Sequence, residues 1–372
     1  MNRKSFLKLT ALGLALLPGL AFANDAAWNQ GAVYTTDNSA NGNHVLAYQR
    51  AADGSLSPAG SFETGGIGTG GGLGNQGAVV LSPNGRWLFV CNAGSSEISV
   101  FRVTPQGLHL TSKVGSEGKR PVSLALHRNL LYVLNAGGAA GDKDNVTGFL
   151  FFAGRLHHCP GSTRPLSGDN TGPAQISFST RGDVLVVTEK ATSVIDTFTV
   201  DCDGLIDEHK QFASRGQTPF GFAIRGSDLL VSEAFGGAVD ASAVSSYDLD
   251  DDGNLTAISP SVPTTETAAC WVVVTGNGRF AYASNTGSGS ISGYRVSPSG
   301  KLSLLNADGI TGTTGAGSGP VDMALSANSR YLYVLNARNG TLGAFRVNAN
   351  GSLQSIPGLS GIPAGANGLA AR

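Results

Sequence analysis

The sequence predicts an all-β fold, a seven-bladed β-propeller with four antiparallel strands in each blade. The first observation behind this prediction is a unit of short apolar strands separated by turns rich in Gly, Pro, Asn and Ser. It is clearest from Gly77 to Leu110 and recurs from Val321. The second is spacing, because the residue that ends each second strand returns about every 50 residues, as in a propeller. The residues that end these strands are Thr36, Asn92, Asn135, Thr188, Ser232, Asn285 and Asn336.

The two ends of the chain supply the third observation. The N-terminal copy of the unit lacks its first strand, whereas an extra segment from Pro363 resembles the segment at Gly74–Leu81. We therefore expect residues 367–371 to form the innermost strand of blade 1, beside the strand that contains Tyr34, and to close the ring. Closure removes the exposed sheet edges at which β-proteins aggregate.

Strand direction assigns the connections to two faces of the predicted ring. The turns between first and second strands and between third and fourth strands share one face, here called the turn face. The connections between second and third strands and between blades share the other, here called the loop face. The loop-face segments are longer and more varied, and such loops on a rigid scaffold are where binding and catalytic residues concentrate.

Composition agrees with a single globular β domain. The 372 residues include 53 glycines, are 41% hydrophobic and 14% charged, and carry a formal net charge of −1. So much glycine without a three-residue period indicates many tight turns and excludes collagen. The hydrophobic content excludes a disordered chain, and the sparse, balanced charge gives no electrostatic footprint for nucleic acid.

The N-terminus predicts export. Basic residues near the start precede an apolar run over residues 9–22, and the A-F-A that ends at Ala23 is typical of a signal-peptide cleavage site. The run is too short for a comfortable membrane span, and no other segment approaches its length. We expect residues 1–23 to be a cleaved signal peptide and residues 24–372 to be one propeller domain, periplasmic or secreted.

The blades that begin at Gly172 and Gly319 resemble the seven-bladed lactonase family, which includes propeller-type 6-phosphogluconolactonases and carboxymuconate-lactonising enzymes. The two blades read GPAQISFSTRGDVLVVTE and GPVDMALSANSRYLYVLN. The resemblance covers all the repeats and implies the same fold. It also implies that the protein hydrolyses or forms a lactone of a sugar acid or a related organic acid.

Two family motifs point to catalytic residues. In GPAQ, Gln175 stands where the family has a histidine, and in Thr188-Glu189-Lys190 the family's carboxylate is retained. Glu189, and Glu233 in the next blade, follow the second strand at a place where most other copies carry Ala or Thr. We expect Glu189 in the central funnel, with its carboxylate exposed to the channel as a base. The alternative is that each glutamate accepts N–H bonds from its own loop.

Basic residues on the loop face are candidates for binding substrate and for stabilising an oxyanion. They are Lys119, Arg120, Lys190, Arg215 and Arg338. Arg120 is favoured because it directly precedes an inner strand, although solvated loop charge is the alternative for each. Gln175, Asp322 and Trp271 occupy comparable inner-strand starts and complete the predicted substrate-binding set, with a core role left open for Trp271.

The cysteines contain no C-x-x-C pair, so no zinc knuckle or thioredoxin-type site is indicated. Cys159 is expected early in the fourth strand of blade 3, and Cys202 at the turn between third and fourth strands of blade 4. Both positions lie on the outer rim of one face in neighbouring blades, so we predict a disulfide between them. Cys91 and Cys270 lie within apolar strands and are expected to be buried thiols.

Two other motifs have simple interpretations. Gly66–Gly71 matches G-x-G-x-x-G, but it joins two strands and opens no helix, so we interpret it as an inter-blade loop. Asp248–Gly253 begins like a calcium loop, but Ser259 stands where the closing glutamate belongs. We expect no cofactor, no metal, no nucleic acid and no membrane span, and a monomer that binds a small-molecule substrate or a surface partner.

Two functions remain open at this point. The leading one is an exported lactonase-like enzyme in which Glu189 activates water and a loop-face arginine stabilises the oxyanion. The alternative is a non-catalytic propeller that binds a partner or polymer on its loop face. The missing histidine favours the binding protein, and the retained glutamate favours the enzyme. Because phosphorylated sugars are mostly cytosolic, 6-phosphogluconolactone is not the expected substrate of an exported protein.

Overall fold

The computed structural model describes residues 31–138 and 141–372. The expected signal peptide over residues 1–23 lies outside the described residues. Seven antiparallel sheets form a ring, and each is one blade. One 3-10 turn, Phe235–Gly237, is the helical element of the described chain. The fold is therefore the all-β, seven-bladed propeller that the repeats predict.

The first seven strands of the chain belong to blades 1 and 2. Blade 1 contains β1 (Ala32–Thr36), β2 (His44–Arg50) and β3 (Leu56–Glu63), and blade 2 contains β4 (Val79–Leu81), β5 (Trp87–Asn92), β6 (Glu97–Thr104) and β7 (Gly107–Gly115). Blade 3 contains β8 (Pro121–His127), β9 (Leu130–Ala136), β10 (Asp144–Phe152), β11 (Arg155–His158) and β12 (Arg164–Pro165). In blade 3 the fourth strand is split, because β11 and β12 both pair with β10.

Blades 4 to 7 repeat the pattern. Blades 4 and 5 contain β13 (Pro173–Phe178), β14 (Val184–Glu189), β15 (Val194–Val200), β16 (Ile206–Ala213), β17 (Pro219–Arg225), β18 (Asp228–Glu233), β19 (Ala243–Leu249) and β20 (Leu255–Pro263). Blades 6 and 7 contain β21 (Ala269–Val274), β22 (Phe280–Asn285), β23 (Ser290–Val296), β24 (Leu302–Leu304), β25 (Gly312–Thr313), β26 (Pro320–Leu325), β27 (Tyr331–Asn336), β28 (Thr341–Val347) and β29 (Leu353–Ser360). The last strand is β30 (Asn367–Ala371).

The C-terminal strand closes the ring as predicted. β30 pairs antiparallel with β1, with Val33 opposite Ala371 and Tyr34 opposite Ala370, so blade 1 has the order β30-β1-β2-β3 from the axis outward. β30 also contacts the innermost strands of blades 7 and 2, β26 and β4. The two ends of the chain thus meet in one sheet, and strands from both complete blade 1.

Apolar clusters between adjacent blades form the core, and a repeated tyrosine hydrogen bond ties the blades together. Buried tyrosines on second strands donate to a carbonyl in the outer turn of the next blade. The pairs are Tyr132 with Gly204, Tyr282 with Gly351 and Tyr333 with Gly54, each at 2.8 Å. A buried tyrosine combines a large apolar contact with a satisfied hydroxyl. The blades are therefore joined both at the core and near the turn face.

Within residues 31–138 and 141–372, no helix has the length and apolar character needed to cross a membrane.

Candidate functional site: the mouth of the loop face

Three cationic side chains lie at the loop-face ends of the innermost strands, around the ring axis. Arg120 directly precedes β8. The Nζ of Lys190 lies 3.4 Å from the carbonyl oxygen of Pro173, the first residue of β13. Arg338 lies against Gly319, just before β26, since a Cβ there would be 2.6 Å from its Cγ. We call the part of the loop face that these three side chains border the cationic mouth.

Lys190 is the most enclosed of the three side chains that border the cationic mouth. Its ammonium group donates to the carbonyl of Gly74 and lies 4.7 Å from the ring centroid of Phe220, a cation–π contact. Burial lowers the pKa of Lys190 to about 8, and the nearby charge of Arg120 acts in the same direction. A lysine in this state can donate as a cation and also give up a proton close to neutral pH.

None of the three cations, Arg120, Lys190 and Arg338, forms an ion pair within 4 Å with a carboxylate of the described chain. Arg120 adopts a left-handed φ of 56°, and its Nε is buried with no partner in the described chain. The left-handed φ recurs before the inner strands of other blades, as at Thr218 and Ala268, and therefore belongs to the repeat, whereas the unpaired Nε leaves a donor for a ligand. The mouth is thus suited to an anionic or strongly polar ligand.

A short segment that precedes β4, residues 74–76, crosses the ring axis at the mouth. The backbone N–H of Gln76 donates to Ala174 of blade 4 at 3.0 Å. The side-chain amide of Gln76 donates to the carbonyl of Val272 in blade 6 at 3.3 Å. Asn75 accepts the indole N–H of Trp271 at 2.7 Å. One short segment thus reaches across the axis and is hydrogen-bonded to blades 4 and 6.

Glu189 and Glu233, the predicted catalytic pair, lie elsewhere. Both are fully buried, at 0% exposure, so the expectation that Glu189 faces the channel is wrong. Glu189 accepts the Ser167 N–H at 2.9 Å and hydroxyls of Ser167 and Thr192. Glu233 accepts the Gly216 N–H at 2.8 Å and is bonded by neighbouring serine hydroxyls. The alternative interpretation, a structural carboxylate satisfied by loop donors, describes both residues.

The register of the sheets explains this error. Glu189 pairs with Pro173 and Glu233 with Pro219, just as Asn336 pairs with Pro320. The glutamates therefore occupy the place of the recurring asparagines, and the alignment through Thr188 and Ser232 is displaced by one residue. Asn92, Asn135 and Asn285 hydrogen-bond neighbouring loops and strands in the same way. A side chain that recurs in this role belongs to the repeat.

The corrected register identifies Lys190 as the unusual residue. One position follows directly on Thr36, on the recurring asparagines and on Glu189 and Glu233. In blades 1 to 7 it is occupied by Asp37, Ala93, Ala136, Lys190, Ala234, Thr286 and Ala337. Most blades carry alanine there, so the repeat itself does not require a long cation at this position. Lys190 was among the predicted binding residues, but this stronger signal becomes visible only when the repeats are aligned on Glu189 and Glu233.

The remaining predicted binding residues are engaged in the inner ring. Gln175 is bonded through both amide atoms to the backbone of Phe222 in the next blade, at 2.7 and 2.8 Å. Asp322 is 1% exposed and accepts the Met323 N–H at 2.7 Å. Trp271 is 3% exposed and packs in the core, as the open core alternative anticipated. Gln175 thus joins adjacent inner strands and the other two side chains are buried, whereas Arg120 and Lys190 border the mouth.

The cysteines differ from the prediction in one respect. Cys159 and Cys202 are free in the structure, the first buried and the second exposed, so the predicted disulfide is not formed. Cys91 and Cys270 are buried thiols as expected. Cys270 lies under the cationic mouth, where burial raises the pKa of its thiol to about 11 while Lys190 and Arg338 oppose the increase. It is therefore a protonated wall residue at neutral pH.

The fold and site define the class of protein: a seven-bladed propeller with a cationic mouth on its loop face. The family described as Lactonase, 7-bladed beta-propeller matches residues 29–150 and 237–358, which is well over half of the chain. The chain belongs to this family. No curated protein matches the sequence significantly.

Solved structures show the same fold at low sequence identity. A putative 6-phosphogluconolactonase from Bacteroides fragilis is 18% identical, with a TM-score of 0.71 over 92% of this chain and 98% of that one. The periplasmic gluconolactonase of Pseudomonas aeruginosa is 16% identical, with a TM-score of 0.68 over 92% and 98%. A Lactobacillus plantarum protein is 16% identical, with a TM-score of 0.72 over 92% and 99%. At these identities the likeness concerns the fold.

Proposed function

We propose that this protein is an exported lactonase-like enzyme that hydrolyses a lactone of a sugar acid or related organic acid in the cationic mouth. The observation that carries the proposal is Lys190, a half-buried cation without a carboxylate partner at a ring position where most blades carry alanine. Membership of the lactonase family supports the reaction class. The Pseudomonas aeruginosa relative in fold, named a periplasmic gluconolactonase, supports both the substrate class and export.

The geometry supports a role for two of the three cations in hydrolysis. In its amine form Lys190 takes a proton from water as the water oxygen attacks the lactone carbonyl. Arg120 donates to the oxyanion that develops on the carbonyl oxygen. The ring C–O bond then breaks, and the leaving alkoxide recovers the proton from Lys190. The product acid ionises, so each turnover releases one proton to solvent.

This assignment replaces Glu189 as the base. A carboxylate with no exposed surface and several donors on its oxygens cannot reach water in the mouth. Lys190 has the opposite character, since it borders the mouth and burial lowers its pKa to about 8. Catalytic bases are most effective when their pKa lies near the working pH. We therefore expect kcat/KM to rise with pH and to level off above about 8.

Proton release from a panel of sugar-acid and organic-acid lactones tests the proposal. We expect the wild type to hydrolyse at least one, and a folded Lys190→Met variant to lower kcat/KM by roughly 10²-fold or more. Lys119→Met is the matched control, because Lys119 is an exposed lysine of the same face, and it should retain full turnover. A wild type that turns over none of the lactones contradicts the enzyme and favours the binding protein.

A further inference from the structure

The turn face, opposite the cationic mouth, is divided into two halves of opposite charge. The turn segments of blades 6, 7, 1 and 2 carry six exposed arginines, and Asp53 is the one acidic side chain of these segments in the described chain. The arginines are Arg86, Arg102, Arg279, Arg295, Arg330 and Arg346. We call this half the arginine arc. A net charge of −1 for the whole chain conceals this concentration.

The turn segments of blades 4 and 5 form the complementary half. They carry six exposed aspartates, which we call the aspartate arc. These are Asp201, Asp203, Asp248, Asp250, Asp251 and Asp252. The exposed arginines of blades 3 to 5 reduce but do not cancel this charge, and Arg181 is already paired with Asp251. One face thus presents opposite charges on its two halves.

The arginines of the arc remain available for a partner. Arg279 and Arg295 both lie 5.4 Å from the ring centroid of Phe280, which supports the guanidinium groups. Among the described residues, no ion pair within 4 Å involves any arginine of the arc. Arginine with free guanidinium donors is well suited to bind carboxylates of a protein partner.

We infer that the turn face binds a second copy of this chain in a face-to-face dimer. A twofold axis in the plane of the interface, along the boundary between the halves, places each arginine arc on the partner's aspartate arc. Such an interface is self-complementary, because the same patch serves both copies. An arginine patch built only for a foreign polyanion gains nothing from an aspartate patch on the same face. Both cationic mouths point outward in this arrangement.

An exposed aromatic residue adds an apolar contact to the proposed interface. Phe152, at the outer turn of blade 3, is 75% exposed. The twofold axis places blade 3 of one copy opposite blades 1 and 2 of the other, where Arg86 and Arg102 lie. Guanidinium groups pack favourably on aromatic faces. Because charge pairs at an interface give specificity and association rate more than affinity, we expect a weak dimer that dissociates in salt.

A charge-swap experiment tests the dimer by sedimentation velocity. We expect the wild type to dimerise at about 20 mM salt and to dissociate at about 500 mM. Arg330→Glu/Arg346→Glu and Asp203→Lys/Asp252→Lys should each weaken dimerisation by at least roughly tenfold, because like charges then face each other. An equal mixture of the two variants should restore the dimer, since both contact regions again have opposite charges.

The controls separate this dimer from general charge effects and from other partners. Lys119→Glu/Arg215→Glu reverses exposed charge on the loop face and should leave dimerisation unchanged, and melting temperatures show whether each variant is folded. A wild type that stays monomeric at low salt and high concentration overturns the inference, as does a mixture that fails to restore the dimer. So does a monomer that binds polygalacturonate through the arginine arc. None of these outcomes depends on lactone turnover.

Discussion

Asp196 provides a quantitative test of the buried carboxylates in blade 4. Its side chain has no exposed surface, its Oδ1 lies 2.7 Å from the ring nitrogen Nε2 of His209, and its Oδ2 is buried with no hydrogen-bond partner in the described chain. Burial raises the pKa of Asp196 from 3.8 to about 7, and the charge of Glu189 adds to the increase while His209 opposes it. Burial and a neighbouring carboxylate both favour the protonated form of a carboxyl group.

The sign of the pH effect follows from this increase. Between pH 3.8 and about 7 the folded protein holds a proton on Asp196 that the unfolded chain has lost, so stability falls as pH rises. At ~1.4 kcal/mol per pKa unit, the complete loss is at most on the order of 4 kcal/mol. With an unfolding entropy of about 2 cal/mol/K per residue, this corresponds to roughly 5 °C in Tm for a chain of this size.

Asp196→Asn removes the ionisation and keeps the size of the side chain and its contact with His209. We expect its Tm advantage over the wild type to grow between pH 4 and 7 and to stay constant at higher pH, measured by circular dichroism. Asp207→Asn, an exposed position in the same blade, is the control and should show no such trend. A Tm difference that is independent of pH contradicts the raised pKa of Asp196.

Three further predictions concern the ring and its thiols. Deletion of residues 365–372 removes β30, so cooperative thermal unfolding should be lost or Tm should fall by several degrees; an unchanged transition contradicts ring closure. Asp322→Asn should raise Tm at pH 7 to 9, because burial raises the pKa of this inner-ring carboxyl well above its usual range; equal Tm values contradict that burial. Thiol titration of the unfolded protein without reductant should label both Cys159 and Cys202, and a non-reduced peptide linking them contradicts the structure.

The fold was predictable from the sequence because its signals are local and repeated. Strand alternation, turn residues and the spacing of the blades each recur along the chain. The extra C-terminal segment specifies closure, and the structure pairs it with β1 through Tyr34 and Val33 as expected. Closure also forces the unit from Gly77 and the unit from Val321 to become neighbours of the same blade. These relationships need no knowledge of side-chain geometry.

The site was only partly predictable because it depends on register to a single residue. Successive residues of a strand point to opposite faces of the sheet, so a displacement by one exchanges a wall residue with a buried residue. The chain carries Thr188 and Ser232 one residue before the glutamates, and both are as compatible with a strand end as asparagine. Only the pairing of Glu189 with Pro173 reveals the displacement. The charge pattern of the turn face was also not predicted from the sequence, because a balanced composition does not show where on the surface the charges lie.

The most direct test of the site compares kcat/KM for Lys190→Met and Glu189→Gln on the best lactone of the panel. Lys190 borders the mouth, whereas Glu189 is buried beneath its own loop. Our account predicts a loss of roughly 10²-fold or more for Lys190→Met and a change of less than about threefold for folded Glu189→Gln. The reverse order, with Glu189→Gln inactive and Lys190→Met active, contradicts the assignment of the cationic mouth as the catalytic site.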